Sequence, residues 1–492
     1  MVQGDMDPWG LLKMENNIPE QEERDRITEE LYHRFSKRGL WRLRIGRFIR
    51  GLVWLCMVQL ASGGKRVLDV LISFLLLLVV WPILLLSYLT PGTTLKRTPV
   101  LGRWCARFDR YSFNTSPNLA GKILRISHID RWPALFNVLK GDLSFIGPRA
   151  IPPGELDPRE KAVRKRYNVR PGLISLWWIR QRANIDFTTE VAADGEYVET
   201  QSIWGDVGIA LRAIPAVIYG GGVGTAPDLV TILGIPINNY TMDEAIETIM
   251  DQLNRDVCCQ VCFVNADCAN IAYCDDDYLT ILKRAGPVHP EEPHTRGGQS
   301  FRTFCFADGI GLKIAGKLLA REIRQNVNGT DLFPLLCEAL SGSGKGLFLL
   351  GAEPGVAEGV REWIREHHPA EIVRGIHHGF FSPEEEEPII QRIADSGADL
   401  LLVAFGAPRQ DKWIFEHIEK TGVKVAMGVG GLFDFYSGKT PRAPLWMREM
   451  GMEWLYRFIQ EPGRLWKRYF IGNFVFLYRV ILEKIRGEAR EA

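Results

Sequence analysis

The sequence has almost no net charge: 60 lysines and arginines against 59 aspartates and glutamates leave +1 at pH 7. That balance excludes a global electrostatic field of the kind that gathers nucleic acid, and no nucleic-acid partner is expected. Cysteine is sparse and unframed. The nine cysteines lack the spacing of a disulfide framework, as expected of a reduced, cytoplasmic chain. Cys258, Cys259 and Cys262 crowd together, but Cys262 lies within the apolar run VCFVNA and no partner pair follows at zinc spacing. Core packing is the better reading. No apolar region stands near the N-terminus, so no signal peptide is expected. A complete phosphate loop is also missing. Residues 220–228 open on three glycines without a clear leading strand, and read as a linker. Residues 341–346 hold half of a Walker loop, without its first glycine or final hydroxyl residue, and read as a turn.

What the chain does have is length and apolar runs flanked by basic residues. At 492 residues it exceeds one compact core, so two or three domains are expected. Residues 1–37 are polar with mixed charge. Arg42, Arg44, Arg47 and Arg50 alternate with Trp41, Leu43, Ile45 and Phe48, the pattern of an interfacial helix with snorkelling arginines. Residues 70–89 are apolar and uncharged, about the length that crosses a bilayer. Pro82 interrupts them, and both flanks are basic: Lys65 and Arg66 before, Lys96, Arg97, Arg103, Arg107 and Arg110 after. Basic flanks favour the cytoplasmic side. A kinked hairpin re-entering the same face satisfies both observations, with a plain transmembrane helix as the alternative.

From Leu229 the rhythm is α/β. Residues 229–253 read as strand, turn and a helix capped by Thr241, and 260–264 as a strand ending at Asn265. Asp275-Asp276-Asp277 read as a solvated helix turn rather than a metal motif. Residues 286–305, rich in Pro, Gly and His, read as a surface insertion. Continuous apolar runs at 347–350, 400–405 and 423–429 end on Gly351, Gly406 and Gly430-Gly431, as buried parallel strands would. Ligands bind at such strand ends, and a loop before a helix, as at 351–355, can hold a diphosphate. His377 and His378 end a strand without ligand partners. Beyond residue 450 the chain turns aromatic and basic, as at a membrane surface.

Two resemblances attach to particular motifs. Asn137-Val138-Leu139-Lys140-Gly141-Asp142, Gly147-Pro148-Arg149 and Arg170-Pro171-Gly172-Leu173 resemble the bacterial sugar transferases, the monotopic polyprenyl-phosphate phosphoglycosyl transferases, over about residues 65–220. That resemblance implies a carboxylate nucleophile at Asp130, a phosphate contact at Arg149 and Mg²⁺ in the N-terminal domain. The family's Asp-Glu pair is Asp130-Arg131 here, and Asn114 stands where the family has a basic residue. A silent anchor is therefore the competing reading for this domain.

The second set is Leu233-Gly234-Ile235-Pro236, Asn265-Ala266-Asp267, Asp308-Gly309-Ile310-Gly311, Gly329-Thr330-Asp331, Gly406-Ala407-Pro408-Arg409-Gln410, Arg442-Ala443-Pro444 and the run 453–469. These resemble the WecG/TagA/CpsF glycosyltransferases over about residues 233–479. The resemblance implies inverting, metal-free transfer of an N-acetylmannosamine-type sugar from UDP to a polyprenyl-diphosphate-linked acceptor. It places the catalytic base at Asp308, with Glu291 as a weaker candidate. A carboxylate on a strand-end loop also suits a base on chemical grounds. Without a metal, cationic side chains must neutralise the leaving UDP, and the resemblance offers Arg457, Arg464 and Lys467. Substrate contacts are expected at Asn265, Asp331, Gly351, Gly406, Gln410 and Arg442. Asn326 replaces a usual arginine.

The expected fold is therefore α/β. A tail and interfacial helix (1–62) precede a membrane-embedded domain with a re-entrant hairpin (63–219), the linker (220–228), a Rossmann-like parallel-sheet domain (229–450) and a helical, membrane-associated appendage (451–492). The expected function is exopolysaccharide or cell-wall polymer assembly at the cytoplasmic face of the cell membrane. A bifunctional enzyme and a non-catalytic scaffold are the alternatives. Self-association stays open.

Overall fold

The computed structural model describes residues 26, 37–115, 121, 124, 129–183, 189–219, 226–255, 257–286, 294–296, 299–368 and 371–491. Most of the N-terminal tail, the glycines of the linker and Glu291 lie outside these residues, as do the side chains of the arginine-rich stretch 41–50. The chain divides into two units, one ending at Trp81 and one beginning at Pro82.

Helix α1 (Lys37–Leu89) runs for 53 residues. Its part from Gly63 to Leu89 is long and apolar enough to cross a membrane. Leu71, Phe74, Leu78, Trp81, Leu85 and Leu86 are exposed on it, an arrangement that suits lipid rather than water. The helix continues through Pro82 without reversing. The expected re-entrant hairpin is not confirmed. Pro82 deletes one backbone donor and crowds one carbonyl, but its neighbours are mostly Leu, Val and Ile, whose remaining hydrogen bonds carry the helix on.

The second unit begins with a β-hairpin, β1 (Thr94–Leu101) against β2 (Arg107–Asn114). Helix α2 (Leu135–Lys140) follows, then a parallel pair, β3 (Ser144–Ile146) and β4 (Gly172–Ile174), then α3 (Leu176–Ala183), α4 (Glu190–Thr200) and α5 (Ile203–Tyr219). The shared motifs of this segment explain its packing. The fully buried Asn137 accepts from Tyr111 N at 3.0 Å and donates to Asp109 O at 2.8 Å, which pins β2 to α2. Gly147 and Gly172 stack backbone on backbone: a Cβ on Gly172 would lie 2.1 Å from Gly147 N.

The rest is a parallel sheet flanked by helices. A small hairpin, β5 (Leu229–Ile232) and β6 (Ile235–Asn238), leads to α6 (Met242–Gln252), which has the expected Thr241 cap with Glu244 closing a capping box. Then come β7 (Cys258–Val264), α7 (Ala266–Ala272), α8 (Asp276–Lys283), β8 (His294–Arg296), β9 (Gln299–Ala307), α9 (Ile310–Leu318) and α10 (Gly329–Leu340). The chain continues with β10 (Leu347–Gly351), α11 (Val356–His367), β11 (Val373–His377), α12 (Pro383–Asp395), β12 (Leu400–Ala404), α13 (Arg409–Thr421) and β13 (Val425–Gly428). The strand order is β11-β10-β12-β13-β7-β9-β8, parallel throughout except for the edge strand β8. Continuous runs such as LLLVA in β12 are buried at every residue, as a sheet covered on both faces requires.

One expectation fails here. Residues 299–305, read as part of a surface insertion, belong to β9, and from Phe301 on they pair with β7 in the body of the sheet. Over 301–305, Phe301, Thr303 and Cys305 are buried and alternate with the half-buried Arg302 and Phe304. The polar, glycine-rich stretch before them hid that alternation. The triple aspartate proves ordinary, with Asp275 capping α8 and pairing with Lys412 at 2.7 Å.

After the sheet come α14 (Leu432–Tyr436), α15 (Leu445–Glu449), α16 (Glu453–Gln460) and α17 (Pro462–Trp466). A π-turn over Lys467–Ile471 leads into α18 (Gly472–Glu491). Helix α18 buries Phe476 and Val480 in the core cluster of Val264, Cys268 and Leu312. Its other face leaves Phe474, Tyr478, Ile481 and Ile485 exposed.

Candidate active site

Five parallel strands end side by side, so their following loops form one continuous edge. In spatial order that edge carries Gly351, Gly406, Gly430, Asn265 and Asp308. The glycines are there for geometric reasons. Gly351 sits at φ 135°, and a Cβ on it would lie 2.7 Å from Ala404 N. On Gly431 a Cβ would lie 2.8 Å from Arg457 Nη2. Gln410, in the first turn of α13, fastens two of these loops. Its buried Oε1 accepts from Gly406 N at 3.1 Å and Gly430 N at 2.9 Å. That oxygen is thus engaged by backbone, and Gln410 shapes the loops from beneath.

The loops wall a cleft of about 360 Å³ whose lining includes Ala352, Phe405, Gly406, Gly430 and Gly431. Five basic side chains reach it, Arg409, Lys439, Arg457, Arg464 and Arg468, against the carboxylates of Glu353, Asp434 and Glu461. Lys439 is paired with Glu353 at 3.0 Å, Arg464 with Glu461 at 2.7 Å, and Arg468 with Asp267 at 3.1 Å. Arg409 and Arg457 have no carboxylate partner among the described residues. They lie over the rings of Phe405 and Phe435, at 5.1 and 4.5 Å from the centroids. Two guanidiniums with no ion pair among the described residues, beside the N-terminus of α13, make an anion-binding surface.

Asp308 stands two strands away from β13 on the same edge. Register pairing of Val264 with Ala307 puts the next residues, Asn265 and Asp308, side by side. Asn265 Nδ2 donates to Asp308 Oδ2 at 3.4 Å, while its Oδ1 caps α7 by accepting from Asp267 N and Cys268 N. Asn326 Oδ1 accepts from Gly309 N and holds the loop from the other side. Burial pushes the Asp308 carboxyl up to about 6; the Asn265 hydrogen bond opposes this, the Glu453 charge adds to it, and Arg457 and Arg468 pull it down. Both arginines also line the cleft, so the cleft and the carboxyl share one electrostatic environment.

Other expected contacts are placed differently. Asp331 and Arg442 bond each other at 2.6 Å, and Arg442 continues to Glu453 at 3.2 Å. They brace the start of α16. Lys467 lies outside the cleft lining, 5.9 Å from the Trp466 ring centroid. Its neighbour Arg468 faces the cleft instead, as do Arg409 and Lys439. None of these three was singled out from sequence. For Arg409, its place just after Gly406-Ala407-Pro408 at a helix start was the available signal.

In the N-terminal segment, Asp130 lies in a 3₁₀ turn, Ile129–Ala134. Arg149 gives two hydrogen bonds to Glu190, at 2.9 Å each, and one to Glu155. Two carboxylates thus hold the guanidinium expected to meet phosphate. Burial lowers the pKa of Arg110, the nearby charges of Arg131 and Arg149 lower it further, and Asp130 raises it. Arg110 therefore shares one electrostatic environment with Arg131, Arg149 and Asp130.

Comparison with known proteins agrees with the division of the chain. The bacterial sugar transferase family model matches residues 116–220, and that of the glycosyl transferase WecG/TagA/CpsF family matches 299–490. The two matches, one after the other along the chain, support a fusion of the two domains. The WecG/TagA/CpsF segment is a glycosyltransferase, and the cleft and Asp308 both lie within it. One relative is the N-acetylglucosaminyldiphosphoundecaprenol N-acetyl-beta-D-mannosaminyltransferase of Bacillus subtilis (strain 168). It is 29% identical over 239 residues, 48% of this chain and 86% of that protein. The protein of the same name from Staphylococcus aureus (strain MRSA252) is 28% identical over 261 residues, 52% of this chain and 93% of its own.

Proposed function

We propose that the chain is a membrane-associated, inverting glycosyltransferase. It moves an N-acetylmannosamine-type sugar from UDP to a polyprenyl-diphosphate-linked acceptor, in building an exopolysaccharide or cell-wall polymer. The observation that carries this reading is the sharing of one sheet edge by an arginine-lined, glycine-walled cleft and a buried carboxyl, Asp308, whose pKa burial pushes up to about 6. The names of the two relatives support the choice of sugar and acceptor. In this reading the cleft takes the donor diphosphate. Asp308 accepts the proton of the acceptor hydroxyl, and the oxygen attacks the anomeric carbon from the face opposite UDP. The bond from that carbon to the diphosphate oxygen breaks, and its electron pair leaves with UDP. Arg409, Arg457, Arg464 and Arg468 take up the charge, so a chelator should leave the rate unchanged.

The sugar transferase segment acts in this proposal as an anchor with little or no phosphoglycosyl transfer. Arg131 next to Asp130 in the chain and the engagement of Arg149 by Glu190 and Glu155 support that. The deciding assay supplies the full-length protein with a panel of UDP-sugars and either polyprenyl phosphate or a polyprenyl-diphosphate-linked sugar. UDP release and a lengthened lipid-linked glycan are expected with the second acceptor alone. UMP release from polyprenyl phosphate that disappears in Asp130→Asn would make the chain bifunctional. No transfer to either acceptor would leave the scaffold reading.

The active domain is placed on the cytoplasmic face, where the apolar stripe of α18 and the apolar length of α1 hold it to lipid. In a background without native cysteines, Lys96→Cys is expected to resist an impermeant thiol reagent in intact cells. Labelling there would reject the cytoplasmic placement. The companion variant, Lys65→Cys, reports on α1: labelling means the helix crosses, and protection means it dips in and stays on one side.

A further inference from the structure

The two segments meet at a buried ion cluster that the proposed reaction does not use. Glu449, at the end of α15, is completely buried. Its Oε1 accepts from Arg180 Nε of α3 at 2.8 Å, and its Oε2 accepts from Arg212 of α5. Arg180 is itself 2% exposed and turns its other two nitrogens to Glu196 of α4, at 2.8 and 2.9 Å. One carboxylate of the glycosyltransferase segment is therefore held by two guanidiniums of the sugar transferase segment. A buried carboxylate that loses such partners is left as an uncompensated charge, so this joint resists any sliding of α15.

Helix α15 is tied on its other side to the appendage. Arg448, the neighbour of Glu449, lies 3.8 Å from Asp331. Arg442, just before α15, bridges Asp331 to Glu453 at the start of α16. Helix α16 then carries Arg457 into the cleft. The path from α3 to the cleft thus runs through ion pairs that are joined by α15 and the first turn of α16.

We infer that Arg180, Arg212 and Glu449 are positioning residues for glycosyl transfer: through α15 the sugar transferase segment sets where the appendage places its arginines. The N-terminal segment then has a task in the second reaction even if it performs no chemistry of its own. This rests on the reading of the cleft as the donor diphosphate site.

The test uses the full-length protein in lipid nanodiscs, with kcat expressed per folded molecule. Glu449→Gln is expected to lower kcat by roughly a hundredfold, the scale of a misplacement of about 1 Å. KM for the UDP-sugar should change by less than about threefold, because the arginines act mainly on the charge that develops as UDP leaves. Should Glu449→Gln not fold, Arg212→Gln reads the same contact from its less buried partner, at 20% exposure. Glu196→Gln removes the outer partner of Arg180, leaves Glu449 held, and should keep wild-type kcat. A role in folding alone would lower the yield of folded protein and leave kcat per folded molecule unchanged, and that result in Glu449→Gln and Arg212→Gln overturns the inference. Arg457→Gln run alongside separates the two levels. Its collapse beside an unaffected Glu449→Gln rejects only the positioning role, whereas full activity in Arg457→Gln rejects the cleft reading, and the inference with it.

Discussion

Asp308→Asn is expected to lower glycosyl transfer by roughly a hundred- to ten-thousandfold, the range of a lost general base. UDP-sugar binding should survive, because Asp308 is not among the residues that line the cleft. The substitution keeps the size of the side chain and removes its capacity to accept a proton. The pH profile gives an independent reading. The Asp308 carboxyl is raised to about 6, chiefly by burial. As the base it must be ionised, so kcat should fall as pH drops through about 6, and what activity remains in Asp308→Asn should lack that limb. Asn265→Ala sharpens the test. It removes the hydrogen bond that favours the ionised form, so the limb should move to higher pH. It also uncaps α7, at a cost of about 0.5–2 kcal/mol in stability, and is best measured at low temperature. Full activity in Asp308→Asn, with loss in Glu291→Gln, would move the base into the preceding segment.

The second large effect belongs to the appendage. Changing Arg457, Arg464 and Arg468 together to Gln should reduce turnover to near background while most of the protein still fractionates with membranes. Removal of one group that stabilises developing charge costs about 2.7–4 kcal/mol, and these three face one leaving group. Arg457 should dominate: it has no carboxylate partner among the described residues, whereas Arg464 and Arg468 are each paired. Arg457→Gln alone is therefore expected to cost roughly a hundredfold or more in kcat. Lys467→Gln serves as the comparison, because Lys467 lies over Trp466 and outside the cleft lining. A loss in Lys467→Gln as large as that in Arg468→Gln would contradict this placement. Release from the membrane with unchanged turnover on a soluble acceptor would assign the arginines to lipid headgroups.

Much of the α/β body could be read from the chain because its signals are local. Apolar runs stopping on glycine marked β10, β12 and β13, and Thr241 marked the start of α6, since strand burial and helix capping both depend on residues close in sequence. Asn265 and Asp308 could each be named from their motifs and from their places at strand ends. Other features depended on contacts across long separations. Residues 299–305 form a strand because β7 accepts them as a neighbour, and their polar lead-in gave no hint of it. Asp331 and Arg442 were both charged residues in site motifs, but they satisfy each other, which only their separation in space could reveal. Lys467 and Arg468 are adjacent in sequence, and only the placement of the appendage shows that Arg468 lines the cleft. By itself the sequence determined most of the strands, helices and turns of the α/β body and the residue types that carry its chemistry. The tertiary structure alone decided which charges face the cleft and which neutralise one another. The reason is physical: periodicity and caps act over a few residues, whereas the availability of a charged group depends on what the whole fold brings within a few ångströms of it.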